Sequence, residues 1–204
     1  RGMDVTAVGC DVTDESQVDA LVDRVMNEND RLDIAICNAG GSFTTSYPPN
    51  GDIDEFRRTL DLNLTGTYIT AQSAGRAMIP AMRGSIITLG SIASTLAMDS
   101  RIYNSEFKRS GPPYIAAKGG GLGLSLAMAA EFGEHGVTVN CISPGQIPRT
   151  GTNADQVETF RKMIPLQRTG LSQDIKGTAA LLASDAGAWI TGQEFRVDGG
   201  WSIW

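Results

Sequence analysis

The chain is 204 residues long, with 17 Lys and Arg against 23 Asp and Glu, one His, three Cys and 24 Gly. Hydrophobic residues make up 41% and charged residues 20%, the balance of one folded domain with a sizeable core rather than of a disordered chain. The net charge of −6 argues against nucleic acid as a partner, because phosphate binding needs a basic face, and no apolar run is long enough to cross a bilayer.

In chain order, strand-length apolar segments alternate with segments of helical period. Val5–Val12 is β-branched and reads as a strand. Asp14 then starts a helix whose apolar positions Val18, Leu21, Val22, Val25 and Met26 fall on one face. Leu32–Cys37 reads as a strand ending in the turn Asn38-Ala39-Gly40-Gly41. A long helix is predicted from about Ile53 to Met82, with a kink or early stop at Pro80. Ser85–Leu89 is the next strand, followed after an irregular stretch by a helix from about Tyr114 to Glu134. Val137–Ile142 is a strand closed by Pro144-Gly145. Helices near Asn153–Met163 and Ser172–Ala183 lead to a last strand at Glu194–Val197. The alternation predicts an α/β fold, a doubly wound parallel sheet with helices on both faces. In such sheets ligands bind outside the carboxyl ends of the strands, which singles out Asp11, Asn38–Gly41, Gly90-Ser91 and Pro144-Gly145.

The scarce side chains exclude further chemistry. His135 is the only imidazole, which rules out a zinc site of several histidines. Cys10, Cys37 and Cys141 are odd in number and far apart, so they read as small hydrophobes at strand ends and not as a disulfide framework. This usage, with no basic-then-apolar leader in view, leads us to expect a cytoplasmic location.

Tyr114 and Lys118 stand one helical turn apart and share a face. A tyrosine of pKa about 10 is a poor base at neutral pH. An ammonium about 4 Å away, at an effective dielectric of about 20, contributes about 4 kcal/mol and would bring the phenol toward neutrality. Ser91, after the Ser85–Leu89 strand, lies on the same rim and can hydrogen-bond a substrate oxygen. Asn63 inside the long helix needs a partner, such as a water held near Lys118.

At these residues the sequence resembles the short-chain dehydrogenases/reductases. The matching pieces are Cys10-Asp11-Val12-Thr13-Asp14, Asn38-Ala39-Gly40, Asn63-Leu64-Thr65-Gly66, Gly84–Ser91, Tyr114-Ile115-Ala116-Ala117-Lys118, Val139–Gly145, Ile164–Arg168, Ile190–Gln193 and Val197–Gly200. They cover nearly the whole chain in the family's order. The resemblance implies a Rossmann-like three-layer α/β/α domain, 1–204, and hydride transfer between a nicotinamide cofactor, NAD or NADP, and a secondary alcohol or ketone. Polyols, sugar acids and 3-oxoacyl thioesters are all compatible. Tyr114 would be the acid/base, and Lys118 would lower its pKa and hold the nicotinamide ribose. Ser91 would orient the carbonyl, and Asn63 would anchor a relay water. Asp11 and Val12 would contact the adenine, with Asn38, Ala39 and Gly40 bordering the cofactor. Pro144, Gly145 and Ile147 would line the nicotinamide. A homo-oligomer, dimer or tetramer, is expected through the long helices and the C-terminal end, where Trp201 and Trp204 fit burial against a partner.

The pattern also departs from the family. The family opens with a strand, a glycine-rich turn and a helix that receives the pyrophosphate; that first βα unit and the second strand have no counterpart here, so the domain is expected to be N-terminally incomplete. Gly119-Gly120-Gly121 and Gly123 lie inside a helix and read as packing positions. Ser91 and Tyr114 are 23 positions apart, wider than usual. The extra segment Met98–Pro113, with Arg101, Lys108 and Arg109 among Asp99 and Glu106, is either a solvated loop or a lid whose cations hold an anionic substrate; Ser94 is the alternative should it shift the register of Ser91. Arg149 stands where the family keeps a threonine, either on the surface or against substrate or cofactor. The rival function is an inactive relative retaining the fold as a binding module.

Overall fold

The computed structural model describes residues 5–103 and 109–204. Its sheet has four parallel strands in sequential order: β1 (Ile34–Cys37), β2 (Gly84–Leu89), β3 (Val137–Pro144) and β4 (Glu194–Val197). Because all four run the same way, their carboxyl ends share one rim. Helix α1 (Glu15–Asn29) begins at Asp14, whose carboxylate accepts hydrogen bonds from the Ser16 and Gln17 backbone N–H groups. Helices α3 (Gly66–Met78) and α4 (Pro112–Gly133) cover one face of the sheet, and α6 (Lys176–Leu182) covers the other. Helix α2 (Ile53–Leu60) packs against α4, and α5 (Ala154–Met163) carries Phe160, which sits edge-on to Tyr103 and Trp201.

The side-chain alternation of a strand decides which layer each residue joins. On β2, Ile86 packs with Ala71, Ala74, Met78, Met128 and Val139 beneath α3 and α4. Its neighbour Ile87 packs with Ile142 and Leu182 on the opposite face. Both isoleucines are fully buried, as expected of a parallel strand covered on both sides. On β1, by contrast, Ile34 and Ile36 are 41% and 52% exposed.

The strand predicted at Val5–Val12 does not form. The stretch carries no strand pairing, and Val5 is 77% exposed. β-branched residues favour a pleated surface, but a strand exists only where a neighbour supplies its ladder, and β1 pairs with β2 alone among the described residues. The predicted single long helix from Ile53 is continuous in direction but not in type. Residues Asp61–Thr65 form a π-helical turn between α2 and α3, and Pro80 falls in a closing 3₁₀ turn, Ile79–Ala81. The glycine-rich part of α4 is only half explained by packing. A Cβ on Gly119 would lie 3.2 Å from the Ser94 carbonyl oxygen and one on Gly120 3.1 Å from Leu64, whereas Gly121 and Gly123 have nothing within 4 Å.

Candidate active site

The strand rim gathers Tyr114, Lys118, Asn63 and Ser91 from three separate elements. Proline at the first two positions of α4 suits a helix start, since the missing N–H groups have no intrahelical partner there. That start puts Tyr114 in the first turn and Lys118 one turn on, its ammonium 5.6 Å from the Tyr114 ring centroid. Lys118 is 7% exposed, and its Nζ donates to the Leu89 carbonyl at the end of β2, 2.6 Å away.

Asn63 sits in the π-helical turn, fully buried. Such turns inside α-helices recur at functional sites because they widen the local backbone spacing. The Asn63 amide reaches across to the turn after β1: Nδ2 donates to the carbonyls of Gly41 (2.6 Å) and Thr59 (2.8 Å), and Oδ1 accepts from the Gly41 N–H (3.1 Å). Both of its N–H groups are therefore taken by protein, and the Asn63 side chain positions the Gly40-Gly41 turn. The approach is close: a Cβ on Gly40 would lie 2.7 Å from Asn63 Oδ1 and 3.6 Å from Lys118 Nζ.

Ser91 caps a 3₁₀ turn, Ile92–Ser94. Its Oγ accepts from the Ala93 N–H at 3.1 Å, while Ser94 Oγ accepts from the Ser91 N–H at 3.2 Å. The Ser91 O–H proton is thus left to donate, and Ser94 supplies the other half of the capping box. Ser91 lies within hydrogen-bonding reach of the Tyr114 phenol.

The electrostatics differ from the expectation that Lys118 brings the phenol down. Burial raises the Tyr114 pKa above its ordinary value, opposed by the Ser91 hydrogen bond and the charge of Arg149. Burial also pushes Lys118 downward, toward its neutral form. Two desolvated groups with one cation pointed at a backbone carbonyl do not reproduce the simple ion–phenol pair. Burial pushes Cys37 up to about 12, making it an inert core thiol; Cys141 is buried as well, while Cys10 is only half-buried.

Two cavities meet at this rim. The inner one, about 360 Å³, is lined by Asn38, Gly40, Tyr114, Lys118, Pro144 and Arg149, among others. The outer one, about 610 Å³, includes Tyr103, Gln146, Ile147, Gln156 and Phe160. Ser110 and Arg149 line both. Gly145 and Ile147 also border a smaller hollow of about 200 Å³ beside Asp198 and Gly199. Of the residues picked from sequence for the cofactor, Asn38, Gly40, Tyr114, Lys118 and Pro144 come together in the inner cavity. Ala39 is exposed beside it. Asp11 and Val12 line neither cavity: Asp11 Oδ1 accepts from the Thr13 N–H and hydroxyl, and Val12 packs against Gly66.

The two described cations of the Met98–Pro113 segment pair elsewhere than in the site. Arg101 pairs with Asp99 at 2.7 Å on the surface, and the Arg109 guanidinium stacks 4.8 Å from the Tyr47 ring centroid. Lys108 and Glu106 lie outside the described residues. What the segment does contribute is Tyr103 and Ser110, which sequence reasoning missed; neutral hydroxyls in an irregular stretch carry no periodic signal. Gln146 and Gln156 were missed as well, since a neutral amide carries no charge or motif that marks it.

Comparison with known proteins agrees with this architecture. A model of the family described as enoyl-(acyl carrier protein) reductase matches residues 1–202. The chain is 33% identical over 198 residues to D-threitol dehydrogenase of Mycolicibacterium smegmatis, covering 95% of this chain and 72% of that protein. It is 32% identical over 201 residues to a 3-oxoacyl-(acyl-carrier-protein) reductase of Synechocystis, covering 98% and 77%. A short chain dehydrogenase of Leptospira borgpetersenii, solved with bound NAD+, superimposes with a TM-score of 0.87 at 30% identity over 96% of this chain and 75% of that one. With the family match spanning almost every residue, a parallel sheet of the same wind, and several relatives above 30% identity, the chain belongs to the short-chain dehydrogenases/reductases, a family of NAD(P)-dependent oxidoreductases.

Proposed function

We propose that the chain interconverts a secondary alcohol and a ketone, with Tyr114 exchanging the oxygen-bound proton, Ser91 orienting the oxygen and Lys118 holding the cofactor. The observation that carries this reading is the meeting of a half-buried phenol and a buried ammonium at one rim cavity, with the Ser91 hydroxyl within hydrogen-bonding reach of the phenol. The donor set suits a nicotinamide nucleotide. Lys118 has three N–H donors and one protein acceptor among the described residues, which leaves donors for ribose hydroxyls. Asn38, Gly40 and Pro144 would border the cofactor, and Gly145 and Ile147 lie close by; NAD and NADP both fit this reading. Hydride exchange at the substrate carbon is the chemistry a nicotinamide supplies there when bound.

The chain's own residues do the rest. In the reducing direction the Tyr114 hydroxyl gives its proton to the carbonyl oxygen and becomes a phenolate. The Ser91 hydroxyl then donates to the nascent alcohol oxygen or the phenolate, and the charge of Arg149 favours the phenolate. Asn63 acts by holding the Gly40-Gly41 turn in place. In the oxidising direction the same proton returns to Tyr114.

The test is Tyr114→Phe, which keeps the ring and removes the proton. Turnover with a ketone or polyol should fall at least about 10²-fold, with cofactor affinity by fluorescence titration nearly unchanged. Equal turnover in the variant overturns the role, and with it favours the rival reading of a non-catalytic binding module.

The assembly we propose is a dimer or tetramer. Supporting it are Tyr68 on α3 and Leu126 on α4, 45% and 61% exposed, and Ile203 and Trp204 at the C-terminal end, 74% and 75% exposed. Trp201 does not join them: it packs edge-on against Phe160 of its own chain. Sedimentation measurements decide the state. A cytoplasmic location is part of the same proposal; among the described residues no helix is long and apolar enough to cross a membrane.

A further inference from the structure

Within the proposed oxidoreductase reading, on which this inference rests, the two joined cavities also carry information about the substrate. The chain is acidic overall, at −6, yet the described residues lining the inner and outer cavities include Lys118 and Arg149 and no carboxylate. Among the described residues Arg149 is the one lining residue of positive charge in the outer cavity, and it also lines the cavity that holds Tyr114. The rest of the outer lining is mainly polar: Tyr103, Gln146, Thr152, Asn153 and Gln156 present hydroxyl and amide groups. The Gln156 side chain is 4% exposed, and its Oε1 has no hydrogen-bond partner among the described residues. A buried acceptor without a donor is costly and calls for a hydroxyl or amide N–H. An acyl chain or a terpene skeleton would leave the Gln156 Oε1 acceptor unmatched.

We propose that the substrate is a small hydroxylated carboxylate, with its carboxylate on the Arg149 guanidinium, its reacting carbon toward Tyr114 and a hydroxyl toward Gln156. The guanidinium matches a carboxylate with two parallel N–H donors, which a lysine would not. The volume of about 610 Å³ in the outer cavity accommodates a molecule of this class.

Titration calorimetry on the full chain tests the assignment without relying on turnover. The probes are D-gluconate and D-sorbitol, equal in carbon number and differing in the carboxylate, each with and without NAD+. Wild type should bind gluconate at least about tenfold more tightly than sorbitol, an advantage that shrinks with added salt. Arg149→Gln should bring the ratio close to one, and Arg149→Lys should restore part of it. Equal affinity for the two probes in wild type, or an unchanged ratio in Arg149→Gln, overturns the proposal, as does tighter binding of acetoacetyl-CoA than of gluconate. Arg149 is exposed, so its substitution is expected to leave the fold intact, which the unfolding midpoint checks. The catalytic reading fails separately: gluconate bound in an Arg149-dependent way but never oxidised would refute the role of Tyr114 and leave the binding assignment standing.

Discussion

Tyr114 shows how far burial can outweigh a neighbouring charge. The spacing of Tyr114 and Lys118 puts an ammonium beside a phenol, but both are desolvated, and desolvation disfavours the charged form of each. The consequence is a pH dependence whose sign can be worked out. Below pH about 10 the Tyr114 phenol is neutral in the folded and unfolded chain and contributes nothing to the dependence. As pH rises past that value the unfolded phenol loses its proton while the folded one retains it, so stability falls. Lys118 runs the other way: its lowered pKa destabilises the fold at lower pH, an effect relieved as pH rises through its folded value. Tyr114→Phe should therefore show a shallower loss of thermal stability on the alkaline side than wild type, with the remaining decline owed to Tyr103 and Cys37, also raised by burial. An identical alkaline decline in the variant would contradict burial as the dominant influence on this phenol.

At the level of elements, the site depends on a fault in a helix. A regular α-helix from Ile53 to Met78 would have no reason to bury an asparagine; the π-helical turn at Asp61–Thr65 makes room for one, and its amide ties two elements together. Asn63→Ala removes three hydrogen bonds and leaves the Gly41 backbone and the Thr59 carbonyl without this partner. At about 1 kcal/mol each, the loss should be about 2–3 kcal/mol in urea unfolding, accompanied by weaker cofactor binding as the Gly40-Gly41 turn loosens. The turn between α4 and β3 carries a different constraint. Gly136 has φ +67°, and an added Cβ would come 2.3 Å from the Met82 carbonyl oxygen. Gly136→Ala should cost at least about 1–3 kcal/mol, seen as a lowered unfolding midpoint with substrate preference retained.

For the molecule as a whole, the sheet divides the core into two layers that meet only through the strands. Met78 belongs to the layer under α3 and α4, Ile87 to the layer under α6. Each truncation to alanine should cost about 2–5 kcal/mol, and the double variant should lose close to the sum, since the two side chains belong to separate clusters. A large departure from additivity in equilibrium unfolding would mean that the sheet transmits strain between layers. The same division accounts for the electrostatics of the rim. Among the described residues, the two cavities that Arg149 borders hold Lys118 and Arg149 and no carboxylate, an arrangement that attracts anions, while Asp174 and Asp198 line the neighbouring smaller hollow.

The sequence by itself determined the layers and the family: apolar period two against period 3.6, the capping Asp14, and the Tyr114–Lys118 spacing are local patterns, readable because neighbours along the chain remain neighbours in space. Val5–Val12 marks the limit of that reading, since a strand is a property of a pair and its propensity alone builds no ladder. The tertiary structure alone decided that Asn63 would clamp the Gly41 backbone, that Ser91 would cap its own 3₁₀ turn beside Tyr114, and that Arg149 borders two cavities at once. It also reversed the pKa argument for Tyr114. These outcomes depend on distances across chain separations of tens of residues and on how much water each group loses, quantities that folding sets and spacing does not.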